Sequence, residues 1–180
     1  MNGFSFQEFK PTIFFLVKFL GIYLVVNLLY GWYVTAWYPN PDPVTSWVSD
    51  QSAVILRAVG YEASSINHER KPTTLILNDK DAILSVYEGC NGINSGIVFL
   101  AFLFAFGTYR KALLWFAPLG ILMIHLSNLA RIILLFIVSI YLPDHLYFAH
   151  KYLFTAWIYL VVFALWIVWV KKFSRKVNER

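Results

Sequence analysis

Four long apolar stretches, separated by polar or basic residues, dominate the hydrophobic pattern of the chain. They run over about Ile13–Trp37, Gly92–Phe106, Ala112–Leu142 and Tyr152–Val170. A helix needs about 20 apolar residues to cross the roughly 30 Å hydrocarbon core of a bilayer. The pattern therefore predicts an all-α polytopic membrane protein, with about four transmembrane helices in a single integral membrane domain over residues 1–180.

The only sizeable polar segment, residues 39–89, separates the first two apolar stretches. Apolar residues recur at helical spacing in its first half, at Trp47, Val48, Val54, Ile55, Ala58 and Val59. Gly60 follows them and suits the C-terminal cap of a helix. We expect a short amphipathic helix here, lying on the membrane surface.

The second half of this segment predicts a β-hairpin. Thr73–Leu77 and Ala82–Tyr87 have the apolar and β-branched residues of short strands, and the turn-forming residues Asn78-Asp79-Lys80-Asp81 lie between them. The hairpin would lead the chain to Cys90, at the start of the second apolar stretch.

Composition and charge support a membrane protein with a defined orientation. The chain is 59% hydrophobic and only 14% charged, and its net charge of +5 comes from short basic clusters at the ends of apolar stretches. Such clusters mark the cytoplasmic side of a membrane and do not suggest nucleic-acid binding. With both termini and Arg110-Lys111 inside, the loop 39–89 and residues 143–150 lie outside. The 31-residue stretch Ala112–Leu142 then crosses an odd number of times, most simply once.

This orientation brings three chemically distinctive residues to the outer face. Cys90 begins the second span from outside, His150 begins the last, and Arg131 lies about 28 Å along the third from its inner end. A thiol with a nearby imidazole can act as a nucleophile, and an arginine can hold an oxyanion or a carbonyl. The partial positive charge at a helix N-terminus is expected to lower the pKa of Cys90. No metal or cofactor is expected, since a lone cysteine lacks thiolate partners.

Each of these residues also has a purely structural interpretation. Cys90 could be a small buried core residue, Arg131 could extend to outer headgroups, and His150 could be an interfacial polar residue. His145 and His125 are rival bases. His125, Asn128 and Arg131 form one polar stripe on the third span, so Asn128 could bond to Arg131 or the backbone. Glu88 could orient the site or be a solvated loop residue.

Three short motifs nevertheless resemble the exosortase/archaeosortase family in order, spacing and topology over roughly residues 85–170. They are Cys90-Asn91-Gly92-Ile93, Asn128-Leu129-Ala130-Arg131-Ile132 and His150. Many relatives have serine where this chain has Asn91, and the small residue often found after the family histidine is replaced by Lys151-Tyr152. The short length is similar to that of the F-type exosortases. The resemblance implies catalytic roles for Cys90, Arg131 and His150, and supporting or substrate-binding roles for Asn128, Glu88 and Asn91.

The resemblance also implies a function. We expect a cysteine protease or transpeptidase of the cytoplasmic (inner) membrane, with an active site that faces outward and cleaves C-terminal sorting signals. Its partners would be membrane lipids and secreted proteins that carry a C-terminal motif, a transmembrane helix and a basic tail. Small residues at Gly92, Ser95 and Gly96 could admit the substrate helix. Two alternatives are a non-catalytic membrane chaperone or complex subunit, and a lipid-modifying enzyme. The second is disfavoured because diphosphate chemistry usually needs an acidic metal cluster.

Overall fold

The protein is mostly helical, with one small sheet. The computed structural model describes residues 6–106 and 110–174. Its helices are α1 (Phe6–Thr35), α2 (Pro43–Ala58), α3 (Ile93–Phe106), α4 (Arg110–Tyr141), α5 (Leu146–Phe148) and α6 (Phe154–Trp169). The strands are β1 (Ala63–Asn67), β2 (Thr74–Asn78) and β3 (Asp81–Val86). Short 3-10 or π-helical turns cover Glu88–Cys90, Pro143–His145, Ala149–Leu153 and Val170–Ser174.

Three helical segments in the described ranges are long and apolar enough to cross a membrane. They are Phe9–Thr35, Lys111–Tyr141 and Pro143–Phe173. The remaining apolar helix, α3, has 14 residues, which corresponds to about 21 Å, shorter than the roughly 30 Å of a hydrocarbon core. The count of four crossings, which requires α3 to cross, therefore stays a prediction. The basic tail residues Arg175, Lys176 and Arg180, used to predict the orientation, lie outside the described residues.

Aromatic packing joins the long helices. The rings of Phe102 in α3 and Trp166 in α6 stack with centroids 4.4 Å apart, and Phe15 of α1 meets Phe102 edge-on at 5.5 Å. Offset and edge-to-face ring pairs are favourable beyond the area that they bury. At the α3–α4 contact the ring of Phe99 lies directly over Gly120, where an added Cβ would come within 2.2 Å of Cζ. Gly120 thus permits a close approach of these two helices.

The predicted amphipathic helix is confirmed as α2. The carboxylate of Asp42 accepts hydrogen bonds from the backbone of Val44 and Thr45, which caps the first turn. At the other end Gly60 has φ +99°, as its predicted role in the cap requires. Val48, Ser52 and Leu56 are buried, whereas Trp47, Val54 and Val59 are exposed.

The buried face of α2 contains small polar residues. Ser49 and Ser52 can be buried because their hydroxyls donate to the backbone carbonyls of Thr45 and Val48 within the same helix. That face packs on α4 and on the sheet, and no observation tests the expected position of the helix on the membrane surface.

The predicted hairpin is confirmed as β2 and β3, paired antiparallel with Asn78 opposite Asp81. Asp79, in its tight turn, has φ +55°, a left-handed conformation that aspartate tolerates. A third strand, β1, pairs antiparallel with β2, so the all-α class was too narrow. The sequence Ala-Ser-Ser-Ile-Asn of β1 has little strand character, and its pairing depends on the neighbouring hairpin.

The sheet positions the segment that follows it. Ile76 and Val86 join Val48 and Leu56 of α2 in a buried cluster that also contains Phe136 of α4. Cys90 belongs to the same cluster. The small sheet, α2 and the C-terminal half of α4 therefore hold the Cys90 segment between them.

Candidate active site

Cys90 lies in a tight connection between the sheet and α3. After β3 ends at Val86, a single 3-10 turn carries the chain through Glu88–Cys90, and the Cys90 N–H donates to the carbonyl oxygen of Tyr87 at 2.7 Å. The cysteine is 6% exposed. A buried thiol that forms no disulfide still requires a neighbour that can take its proton if it is to react.

Asn91 anchors this connection to two other helices. Its Nδ2 donates to the hydroxyls of Tyr30 in α1 and Thr45 in α2, at 2.7 and 3.1 Å. Its Oδ1 accepts from the backbone N–H of Ile93 at 2.9 Å, at the start of α3. Asn91 is only 3% exposed. Of the two roles expected for it, the geometry favours support of the loop over contact with a substrate.

Asn128 of α4 holds the backbone of the cysteine itself. Its Nδ2 donates to the carbonyl oxygen of Cys90 at 2.8 Å, and the residue is completely buried. Gly92 has φ +87°, and a Cβ added there would lie 3.2 Å from Cγ of Asn128. Glycine is required for both the backbone conformation and the space. The amide of Asn128 therefore bonds to the backbone, as one of its predicted roles required.

His150 approaches the thiol from the other side. Its Nε2 lies 3.7 Å from Sγ of Cys90. The histidine lies in the π-helical segment Ala149–Leu153, and Oγ1 of Thr155 donates to its carbonyl oxygen at 3.0 Å. Such π-helical insertions within helices occur frequently at functional sites. The structure thus brings together two residues separated by sixty positions of sequence.

Arg131 faces the same space as His150. Both line a cavity of about 290 Å³ together with Tyr87, next to the cysteine. The guanidinium Nε is buried without a hydrogen-bond partner in the part of the chain that the structure describes. Arg131 lies three residues beyond Asn128 on α4. The same helix therefore places the Asn128 amide at the Cys90 carbonyl and the Arg131 guanidinium at the cavity.

The environment of Cys90 changes the expected reactivity of the thiol. Burial raises the pKa of Cys90, and the positive charge of Arg131 and a hydrogen bond with Tyr87 only partly oppose it. The pKa of Cys90 is thus raised and not lowered as expected, because the low-polarity surroundings disfavour the thiolate. The thiol is protonated near neutral pH, and a base must take its proton.

The rival bases do not approach the thiol. His125 pairs through Nε2 with Oε1 of Gln51 at 2.7 Å and stacks on Trp47. It lines a different, mainly apolar cavity of about 510 Å³. His145 is exposed in the turn Pro143–His145. Only His150 lines the cavity that contains Arg131.

Glu88 does not complete a triad. It is half-buried in the turn before Cys90 and does not line the cavity. Its charge raises the pKa of Cys90 slightly, after the effects of burial, Arg131 and Tyr87. An orienting role for this carboxylate on His150 therefore has no contact to support it among the described residues.

Several residues that the sequence analysis did not single out also line the cavity. They are Tyr87, Gly89, Asn94, Lys151, Thr155, Ile158 and Tyr159. Ser95, one of the small residues expected near a substrate helix, lines it as well. The polar residues among them flank Cys90 and His150 in sequence, which is the one signal that could have identified them. In contrast, Gly96, expected to admit a substrate helix, is buried, and an added Cβ would lie 3.2 Å from Ile121 of the same chain.

Among the described residues, no group of three or more histidine, cysteine or acidic side chains lies close enough together to hold a metal ion.

Comparisons with curated proteins and with solved structures find no match. The family model described as "Transmembrane exosortase" matches residues 10–170. This match includes nearly all of the three long apolar helices and every residue that lines the cavity. It begins well before the three motifs on which the resemblance was based. The chain is therefore a member of the transmembrane exosortase family.

Proposed function

We propose that this exosortase-family protein is a cysteine transpeptidase that cleaves C-terminal sorting signals of secreted proteins at the outer face of the cytoplasmic membrane. The observation that carries the proposal is the 3.7 Å separation of Cys90 Sγ from His150 Nε2. Nucleophile–base distances in enzymes without substrate are often longer than those of the reacting complex. Membership of the F-type subgroup is part of this proposal.

In the first half-reaction, Nε2 of His150 takes the proton of the Cys90 thiol. The thiolate attacks the carbonyl carbon of the scissile peptide bond, and the carbonyl electrons move to its oxygen. The guanidinium of Arg131 stabilises this oxyanion. When the tetrahedral intermediate collapses, the C–N bond breaks and the imidazolium gives its proton to the leaving amine. The products are a Cys90 thioester and the released C-terminal helix.

In the second half-reaction, an acceptor amine, or water, attacks the thioester carbonyl while His150 takes a proton from it. The C–S bond then breaks, and the sulfur receives that proton from the imidazolium. This restores the thiol and the neutral imidazole. Asn128 takes no part in proton transfer, since its amide is committed to the backbone of Cys90. Its role in the proposal is to hold the nucleophile.

The proposed site lies at the outer face of the cytoplasmic membrane, in a chain that crosses four times with both termini inside. The substrates are secreted proteins with a recognition motif, a transmembrane helix and a basic tail, so their cleavage point reaches the same interface. Aromatic side chains near the cavity favour this depth. Tyr147, Tyr152 and Tyr159 are all more than half exposed, as in the aromatic belts at membrane interfaces.

The proposal is tested by co-expressing the protein with candidate secreted substrates and following cleavage by immunoblot. Cys90→Ala should abolish cleavage while insertion is retained, and Cys90→Ser should be nearly inactive because a hydroxyl is a poorer nucleophile. His150→Ala should remove most cleavage, whereas His125→Ala and His145→Ala serve as matched controls and should be milder. A thioester on Cys90 should appear as a hydroxylamine-sensitive adduct in mass spectra.

The same experiment separates the transpeptidase from a non-catalytic chaperone or complex subunit. A chaperone would support substrate maturation without a reactive thiol, so it would tolerate Cys90→Ala. Undiminished cleavage by that variant would end the transpeptidase proposal. Loss of cleavage in His145→Ala alone would keep the mechanism and reassign the base.

A further inference from the structure

The cavity beside Cys90 carries more positive charge than the proposed reaction uses. Arg131 and Lys151 both line it, and none of its described lining residues is acidic. The Nε of Arg131 is buried and has no hydrogen-bond partner in the described ranges. Glu88 lies between the lining residues Tyr87 and Gly89 in sequence, and its charge raises the pKa of Cys90. Its side chain is not part of the cavity lining.

This inference rests on the proposed function, because it compares the charges in the cavity with those that the proposed reaction creates. Transfer of a proton from Cys90 to His150 creates a thiolate and an imidazolium, which together are neutral. When the thiolate attacks, its negative charge moves to the carbonyl oxygen of the tetrahedral intermediate, so no further negative charge appears, and Arg131 alone can stabilise that oxyanion. Lys151 then has no role in the reaction. Cations at membrane depth are costly unless an anion balances them. No acidic residue among the described lining faces Arg131 or Lys151, so the two cations indicate an anionic ligand that binds before the reaction.

Contacts around Lys151 indicate where this ligand comes from. Its Nζ donates to the hydroxyl of Tyr147 at 2.6 Å and lies 5.6 Å from the ring centre of Tyr152. Both tyrosines are exposed, as is Tyr159 on the cavity wall. Exposed tyrosines of this kind lie at the level of lipid headgroups. The abundant anion at that depth is the phosphate of a phospholipid.

The remaining lining groups suit a phosphate. The hydroxyls of Ser95 and Tyr159 and the amide of Asn94 line the same cavity, and they can donate to phosphate oxygens. Lysine and arginine both bind phosphate, the first as a point charge and the second through a planar set of donors. We propose that the cavity binds the phosphate of a membrane phospholipid between Lys151 and Arg131, with the acyl chains against the exposed face of α6.

The test measures lipid binding by the purified full-length chain in detergent, after removal of co-purified lipid. Native mass spectrometry with added dioleoylphosphatidylglycerol should show one retained lipid on the wild type. Lys151→Gln should weaken this binding by at least about tenfold, the effect of losing one charge-assisted hydrogen bond. Lys80→Gln is the matched control, because Lys80 is exposed on the hairpin, and it should bind as the wild type does.

Alkylation of Cys90 by N-ethylmaleimide gives a second measurement, since a lipid in this cavity should shield the thiol. Dioleoylphosphatidylglycerol should slow the reaction, and dioleoylglycerol, which has the same chains and no phosphate, should not. Equal binding by the wild type and Lys151→Gln would overturn the proposal. Equal protection by inorganic phosphate would show a free-anion site, and protection only by an acidic peptide would show a site for a substrate carboxylate. Either result would also overturn it.

Failure of this inference can be told apart from failure of the proposed function. Lipid binding requires no catalysis, so Cys90→Ala should retain the lipid even though it cannot cleave a substrate. A wild type that cleaves substrate but binds no lipid would contradict the lipid site alone. A wild type that binds lipid but never forms a thioester would contradict the transpeptidase alone.

Discussion

The side-chain amide of Asn128 donates a 2.8 Å hydrogen bond to the carbonyl oxygen of Cys90. This bond ties the middle of α4 to the loop that carries the proposed nucleophile. Arg131 follows three residues later on the same helix, so the positions of the thiol and of the guanidinium depend on one rigid element.

Asn128→Leu should lower substrate cleavage by about a hundredfold, the scale of effect expected when a catalytic group moves by about 1 Å. The variant leaves the Cys90 carbonyl without its donor and frees the loop. Cleavage is measured by immunoblot at equal levels of inserted protein. Asn27→Leu is the matched control, because Asn27 makes a similar bond to a backbone carbonyl within α1. Equal loss in both variants would assign Asn128 a role in stability only.

Substitution of two glycines can distinguish the effect of backbone strain from that of crowding against Asn128. Gly60 and Gly92 both have positive φ, +99° and +87°, but a Cβ at Gly60 meets nothing within 4 Å, whereas one at Gly92 meets Asn128. Alanine at either position should cost about 1–2 kcal/mol of stability through its left-handed conformation. Only Gly92→Ala should also impair cleavage. Similar activity of the two variants would show that contact with Asn128 is unimportant.

The reactivity of Cys90 should rise at a higher pH than that of an ordinary cysteine. Burial raises the pKa of this thiol, while the charge of Arg131 lowers it. The rate of alkylation by iodoacetamide should therefore have its midpoint above about pH 8.5, the ordinary value for cysteine. Arg131→Gln should move the midpoint higher still, since it removes the favourable charge. A midpoint below the ordinary value would show that the local charges overcome burial.

Arg131→Lys should leave that midpoint nearly unchanged but severely impair cleavage. The substitution keeps the positive charge and loses the planar donors that hold an oxyanion or carboxylate. Alkylation and cleavage measured on the same preparation separate the two effects. Cleavage at the wild-type level would mean that Arg131 acts only through its charge.

The crossing by the short helix α3 can be tested with single cysteines in a Cys90→Ala background. Lys80 and Lys111 are exposed and lie on either side of α3 in sequence. Lys80→Cys should react with a membrane-impermeant maleimide in cells whose outer membrane is permeabilised. Lys111→Cys should react only after the inner membrane is broken. Labelling of both positions from the same side would show that α3 does not cross.

Much of this architecture follows from local patterns in the sequence. The three long apolar helices are visible as long, mainly apolar stretches, because a helix that faces lipid needs no partner to define it. The hairpin follows from its turn residues, and α2 from its spacing and cap. Cys90, Arg131 and His150 could be selected as candidates, since their order and the predicted topology already placed them at one end of the spans.

Other features depend on contacts between residues distant in sequence, and only the tertiary structure decided them. Strand β1 exists because β2 offers it a partner, and the buried face of α2 is set by the sheet and α4. The pKa of Cys90 reflects how deeply the folded chain buries it, which no local pattern reports. The position of His150 beside Cys90 is likewise a tertiary feature, since only the fold brings its Nε2 to 3.7 Å from the thiol across sixty positions of sequence.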